Sequence, residues 1–326
     1  MRRFALLVVG VAAIGVAAAY EPSSELLAGS AASTAAASVP VVQAHDNAKG
    51  ISREVRMRFV RAGERVDFPL AVRGSTLGFT YQWVKVGSSE SGDVARPLDS
   101  DTLLAPLEAG FYELVVTRSG IAQRLSEPRL AVLVPFELKL GSSLNGYQIG
   151  RYPAEWSHNE QAERPAGFAE VHEDQLDLPL TRHLKLRDFI THDSQTIWPR
   201  YVAIDPRVLD KMELVLVELA RRRGEERIDF EIEVHSGFRT PLHNSGVEGS
   251  ARDSRHLYGD AADVAIDADG DGKLTIFDAY RVESAVDWVE RMHPELAGGL
   301  GVYSSRRFAT PYCHIDARGE RKRWRG

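Results

Sequence analysis

Two histidines and one aspartate in the C-terminal part of the chain form the residue set best suited to hold a transition metal. In SRHLYGDAADVAIDADGDG, His256 precedes Asp263 by seven positions. Gly259 permits a tight bend. Beyond it Ala262, Val264 and Ile266 alternate with Asp263, Ala265 and Asp267, the period of a strand whose apolar set faces a core while Asp263 faces the other way. His256 falls in the loop feeding that strand, within reach of the same point. Further on, GLGVYSS and PYCHIDAR read as two more strands, with His314 and Asp316 on one face and Cys313 and Ile315 on the opposite one. Two imidazoles and a carboxylate suit zinc and leave a fourth position for water, the arrangement of a catalytic site in which the metal acidifies water and polarises a carbonyl. On spacing alone, a surface histidine near a capping aspartate explains His256 and Asp263 at least as well.

A second constellation follows directly. DADGDGKLTIFD, residues 267–278, fits the twelve-position loop of EF-hand calcium sites. Asp267, Asp269 and Asp271 stand at positions one, three and five, Gly272 at the sharp sixth, Lys273 offers its carbonyl, Thr275 stands at nine and Asp278 at twelve. The last ligand is Asp where Glu is usual, which shortens its bidentate reach. A strand precedes the loop where an EF-hand has a helix, so the pattern is half an EF-hand, and its competing reading is an acidic turn without metal. Calcium here would be structural, pinning the connection behind the strand that carries Asp263.

HSGFRTP, SRHLYGDAADV, GGLGVY, CHIDARG and a closing RW, in that order, resemble the zinc D-alanyl-D-alanine carboxypeptidases and murein endopeptidases, whose fold is shared with the hedgehog signalling domain. The resemblance spans about residues 184–324. It implies that His256, Asp263 and His314 are the zinc ligands and that Arg239 holds a substrate carboxylate or carbonyl, a task suited to a forked guanidinium; a structural ion pair is the competing role. It also implies an exported zinc metallopeptidase acting on peptidoglycan stem peptides or crosslinks, in the bacterial periplasm or cell-wall space. One departure stands out. Many members carry an acidic general base a few residues before the last ligand, and here that stretch is Ala309, Thr310, Pro311 and Tyr312. Asp316 is the nearest substitute, as the base, as a partner orienting a ligand, or as a ligand itself. The missing acid keeps a second reading open, a zinc-containing but inactive module that binds wall peptides or a protein partner.

The elements that must position these residues follow from the rest of the 326-residue chain, which exceeds the usual span of one core and predicts a multidomain protein. Arg2 and Arg3 before FALLVVGVAAIGVAAA read as a signal peptide over 1–19, with an uncleaved membrane anchor as the alternative. An Ala/Ser-rich tether, 20–50, follows. Residues 51–135 alternate in VDFPLAV, FTYQWVKV, FYELVV and LAVLV and predict an all-β sandwich; Trp83 and Tyr112 resemble the core Trp and tyrosine corner of an immunoglobulin-like domain without its disulfide. A linker and approach segment, 136–183, leads to an α+β domain, 184–326. There Asp205 and Pro206 start a helix with Val208, Leu209, Met212, Leu216 and Leu219 on one face, ending at Gly224. Cys313 is the only cysteine, which excludes disulfides and multi-cysteine zinc sites and reads as a core residue. The other histidines lack a spaced partner; His235 alone reads as a neighbour of the metal ligands. A net charge of -6 with 26% charged residues gives no footprint for nucleic acid.

Overall fold

The computed structural model describes residues 42–44, 52, 54–68, 70–72, 76–88, 93–98, 102–157, 163–225, 230–304 and 310–326. The expected signal segment lies outside them, as does the tether apart from strand β1 (Val42–Ala44), and so do His45, His158 and Ala309.

Short alternating runs between turns build the N-terminal region: β2 (Met57–Arg61), β3 (Arg65–Asp67), β4 (Leu70–Val72), β5 (Phe79–Lys85), β6 (Arg96–Pro97), β7 (Thr102–Leu104), β8 (Gly110–Arg118) and β9 (Ile121–Leu133). Five of them form a sheet in the order β2-β9-β8-β5-β6, with β2 and β9 parallel; β3 pairs with β7 and β1 with β4. The two-residue period of β5 buries Phe79, Tyr81 and Trp83. Trp83 meets Phe68 edge-on at 5.4 Å, and its indole N–H donates to the Leu104 carbonyl at 2.8 Å, so the buried ring carries no unpaired donor. The Tyr112 hydroxyl donates to the Glu108 carbonyl at 2.9 Å.

The described residues of 136–183, a segment expected as a linker, contribute to the main core. Their apolar residues follow neither the strand nor the helix period, and they fold as short turns with two small pairs, β10 (Ser143–Leu144) with β11 (Tyr147–Gln148) and β12 (Ala169–Val171) with β13 (Arg200–Val202). Tyr147, Ile149, Tyr152 and Phe168 are buried there beside Met57, Phe111 and Leu133 of the β region and Leu209, Leu257 and Ile315 of the C-terminal region. One hydrophobic core therefore joins the two regions, while a second lies within the β region around Trp83 and Leu114.

The C-terminal region is a five-stranded sheet with helices on its apolar face. Its strands are β14 (Ile232–Ser236), β15 (Ala261–Ile266), β16 (Gly299–Tyr303), β17 (Tyr312–Asp316) and β18 (Lys322–Arg325), in the order β14-β15-β17-β16-β18, antiparallel except for β16 with β18. Helix α1 (Pro206–Arg223) starts where Asp205 accepts the Arg207 N–H and stops at Gly224, which adopts the left-handed conformation. Its expected apolar face is buried, but so are Lys211, Glu213 and Glu218. These charges are paired: Lys211 donates to Glu290 at 2.7 Å and to the Asp316 carbonyl at 2.6 Å, His183 Nδ1 meets Glu213 at 2.8 Å, and Arg221 and Arg222 both hold Glu218. Glu290 lies on the third helix in chain order, α3 (Ile276–Met292), which follows the short α2 (Pro241–Gly246).

Candidate metal centre

A single cross-strand row assembles the site. Ser236 of β14 pairs with Asp263 of β15, Asp263 with His314 of β17, His314 with Gly301 of β16, and Gly301 with Trp324 of β18. Residues in register across a sheet share a face. The opposite face of the same strands carries Val264, Cys313 and Ile315 into the core. Cys313 is thus inward, and burial pushes its thiol up to about 12.

His256 reaches this row from the turn before β15. Only glycine fits at position 259: its φ is +73°, and a Cβ there would lie 2.0 Å from the Ala203 carbonyl oxygen. Arg255 spans the same turn by gripping Asp260, and its guanidinium sits 4.7 Å from the Tyr258 ring centre. Locked in this way, the turn points the His256 ring at Asp263.

Three donor atoms converge. His256 Nε2 lies 3.1 Å from Asp263 Oδ1 and 3.1 Å from His314 Nδ1, and His314 Nδ1 lies 2.9 Å from Asp263 Oδ1. A tetrahedral zinc ion with bonds of about 2.0–2.1 Å holds its donors roughly 3.3 Å apart, so the observed triangle is that of a zinc site drawn slightly inward. The hydrogen bonds behind the rings select the right tautomers. His256 Nδ1–H donates to the Gly237 carbonyl at 2.6 Å, which leaves Nε2 with a free lone pair; His314 Nε2–H donates to Asp316 Oδ2 at 3.0 Å, which leaves Nδ1. The residues present fit zinc in number, donor type, spacing and outer partners.

Of the three roles left open for Asp316, base, orienting partner or ligand, the geometry displays the orienting one and not the catalytic one. Its carboxylate sits behind His314, on the ring nitrogen facing away from the donor triangle, where it also accepts from Gly299 N at 2.7 Å and from Arg318 Nε at 2.9 Å. A group so placed orients His314 and cannot reach a water held by the three donors. Arg239 is equally committed: it donates to Asp263 Oδ2, the oxygen outside the triangle, and to Ser236 Oγ at 2.7 Å. The ion pair, named above as the competing role, is what the geometry displays.

The charges follow from these contacts. Burial lowers the pKa of His256, keeping it neutral. Burial also opposes charge on His314, but hydrogen bonds to Asp263 and Asp316 outweigh it and push its pKa up to about 9. Asp263 and Asp316 are disfavoured as anions by burial, yet the histidines, and Arg318 in the case of Asp316, hold both well below the usual carboxylate range. These bonds favour a proton on each ring nitrogen of His314, and a cation held by the three donors would displace the one on Nδ1.

Sequence reading quoted Arg318 within CHIDARG and Trp324 within the closing RW but gave neither a role. Arg318 lies two residues after Asp316, just beyond the end of β17. Trp324 covers Gly301, where a Cβ would meet the indole at 2.3 Å, and its ring lies 5.2 Å from that of His314. Its N–H donates to the Tyr303 hydroxyl at 2.9 Å, and Tyr303 stacks on Tyr312 at 4.6 Å. The Gly237 carbonyl has no side-chain signature and was not legible.

The acidic loop is differently built. Asp267 accepts from Gly270 N at 2.8 Å and Gly272 N at 2.8 Å, Asp271 from Lys273 N at 2.9 Å, and carboxylate oxygens of Asp267, Asp269 and Asp271 lie within 4.8 Å of one another. Asp278 closes a capping box with Thr275 at the start of α3, while its buried Oδ1 has no hydrogen-bond partner. That oxygen faces the Arg281 guanidinium at 3.8 Å, and the same guanidinium pairs with Asp269 at 3.0 Å, so an arginine balances part of the loop's negative charge where a hard cation with oxygen ligands would otherwise do so. Lys273 and Thr275 lie on the loop at the positions the pattern assigns them.

A family model described as Peptidase M15 matches residues 209–293, a stretch that carries Arg239, His256, Asp263 and the acidic loop and ends before His314. The match supports a zinc peptidase of the M15 type. No curated protein matches the chain.

Proposed function

We propose that this chain is an exported zinc metallopeptidase that hydrolyses peptide bonds of peptidoglycan, as a D,D-carboxypeptidase or a murein endopeptidase, with His256, Asp263 and His314 as ligands. The observation that carries the reading is the convergence of His256 Nε2, Asp263 Oδ1 and His314 Nδ1, each turned by its own partner so that a lone pair faces one point. Bound zinc would supply an acidified water and polarise the scissile carbonyl. The chain's own residues hold that point. Gly237 and Asp316 fix the two tautomers, Arg239 and Ser236 fix Asp263, and the aromatic wall of Trp324, Tyr303 and Tyr312 borders the centre on one side. Arg239 is placed to turn part of its fork towards a substrate carbonyl when zinc takes up the charge of Asp263.

Export rests on the N-terminal arginines and apolar run. Calcium in the 267–278 loop is part of the same proposal, supported by the spaced aspartates, whose carboxylate oxygens lie within 4.8 Å of one another. The parallel β2–β9 pair, the small β3–β7 sheet and the Tyr112–Glu108 bond support an immunoglobulin-like reading of the β region.

A second reading is favoured by one observation: neither Thr310 nor Pro311 nor Tyr312 is an acid, and Asp316 faces away from the donors. A zinc-containing wall-binding module without turnover is consistent with that. Incubating the zinc-loaded protein with purified murein and identifying products by mass spectrometry decides between them. Cleaved stem peptides or crosslinks are expected; a protein that retains zinc and releases no product is the binding module.

A further inference from the structure

The carboxylate that selects the His314 tautomer belongs to a residue whose backbone is held by a buried ion pair. Lys211 of α1 is fully buried, and its ammonium donates to the Asp316 carbonyl at 2.6 Å and to Glu290 Oε1 of α3 at 2.7 Å. The same Glu290 oxygen accepts from Gly298 N at 3.1 Å, and Oε2 accepts from Arg323 of β18, which also donates to the Gly298 carbonyl at 2.9 Å. Elements α1, α3, β17 and β18 thus meet at one point, and the residue they close on is Asp316, the last of β17.

Two glycines let the surrounding backbone close in on that residue. A Cβ at position 298 would lie 1.9 Å from the Asp316 carbonyl oxygen, the atom Lys211 holds, and one at 299 would lie 2.3 Å from Asp316 Oδ2, the atom His314 holds. Gly299 N donates to Asp316 Oδ1 at 2.7 Å, so Glu290, by holding Gly298 N, also steadies the next peptide against the carboxylate. A buried lysine–glutamate pair is costly to desolvate, and apolar groups of the same length often hold a helix interface equally well. What apolar groups cannot supply is the N–H donated to the Asp316 carbonyl. The other buried pair of α1, Glu213 with His183, makes no such contact among the described residues.

We propose that Lys211, backed by Glu290, is a positioning residue of the metal centre: it fixes the backbone at the end of β17, holds the Asp316 carboxylate behind His314, and so keeps the Nδ1 lone pair of that ring aimed at the donor triangle. The ion is zinc on the reading given above, and no step of hydrolysis is involved. Lys211 touches neither the donors nor a substrate and acts only through Asp316. Without its ammonium the buried Asp316 carbonyl loses a charge-assisted bond and its peptide is free to turn. A carboxylate that turns with it leaves His314 without the acceptor that keeps its proton on Nε2.

The test measures the zinc affinity of the full chain by competition with a chelating dye, beside its melting temperature in chelator. Lys211→Met should bind zinc about tenfold more weakly, the lower end of the range for partners that orient a ligand. Lys211→Met combined with Glu290→Met replaces the ion pair by apolar groups and should recover stability, yet bind zinc as weakly as the single variant. Glu213→Gln, which breaks the other buried pair of α1, should lose stability and keep its zinc affinity. Wild-type affinity in the double variant, or an equal loss of affinity in Glu213→Gln, overturns the proposal. Histidine-selective 15N NMR of the metal-free protein reads the same point without zinc: the Nε2 proton of His314 should be protected from water exchange in the wild type and exposed to it in the double variant. A wild-type chain that takes up no zinc removes the metal reading and leaves this signal to decide, and an Nε2 proton equally protected in both proteins overturns the positioning role.

Discussion

The two acidic constellations lie on either side of one strand, β15, and are built on opposite principles. In the His256, Asp263 and His314 set the donors are buried and converge, and each is held from behind by its own partner, Gly237, Arg239 or Asp316. In the 267–278 loop Asp269 and Asp271 are exposed, and most carboxylate oxygens already accept backbone N–H bonds of the turn itself. The first arrangement has its shape fixed by the sheet, whose register sets Asp263 opposite His314. The second holds its turn through its own backbone.

The largest effect should come from breaking the donor triangle. Alanine at His256, Asp263 or His314 should abolish both zinc retention and turnover, because three protein ligands leave no spare donor in an open site. Elemental analysis beside murein product analysis checks this, and a variant that keeps stoichiometric zinc would show that the ligand set is wrong.

Next in size is the outer partner. Asp316→Asn removes the acceptor that selects the His314 tautomer and should weaken zinc binding roughly 10- to 100-fold, with turnover recovered at excess metal. Were Asp316 a general base, zinc would stay and turnover would remain low at any metal concentration; the two outcomes separate cleanly in a metal titration.

The third test uses pH. In the metal-free protein the His314 pKa is raised from 6.5 to about 9. A raised folded-state pKa contributes stability that is fully present below about 6.5 and is lost as pH rises through about 9. Zinc requires the neutral ring, so its apparent affinity climbs over the same window. The melting-temperature gap between zinc-loaded and zinc-free protein should therefore widen from pH 6.5 to 9. A constant gap, or the same widening in His314→Gln, would mean that this histidine is not the proton displaced by metal.

The contrast between the two sites also marks what was legible from residues alone. Strand parity and the glycine bend put His256, Asp263 and His314 within reach of one point, but only the resemblance named them as a ligand set; the aspartates of the loop were readable because the twelve-position pattern is contiguous. The direction in which Asp316 faces was not: parity puts it on the metal side of the strand, but register with Gly299 and the grip of Arg318 set it behind the ring. Likewise Tyr147, Ile149, Tyr152 and Phe168 looked like a linker because irregular backbone has no period to detect, and their burial depends on β-region residues such as Phe111 that are distant in sequence. The buried charges of α1 were hidden for a related reason, since Lys211 and Glu213 are paired by Glu290 and His183 from other elements.

The smallest expected effect, and the one that bears most directly on the contrast, is calcium. Because the loop already holds its turn through backbone bonds from Gly270, Gly272 and Lys273, the ion adds stability and does not create the fold. With an affinity of about 10⁻⁴–10⁻³ M, typical of extracellular modules and consistent with Asp at the twelfth position, roughly 10 mM calcium would exceed the dissociation constant about 10- to 100-fold. That corresponds to about 1.4–2.7 kcal/mol by mass action, a rise of a few degrees in melting temperature for a chain of this size. Asp269→Ala with Asp271→Ala should remove most of the increment without altering zinc content, since neither residue touches the donor triangle. Asp278→Asn should do more, because it removes a charge from the only buried oxygen of the loop without a hydrogen-bond partner among the described residues and also weakens the capping box of α3. If calcium leaves the wild-type melting temperature unchanged while Asp278→Asn still lowers it, the loop is an acidic turn whose last aspartate caps a helix, and the molecule has one metal centre instead of two.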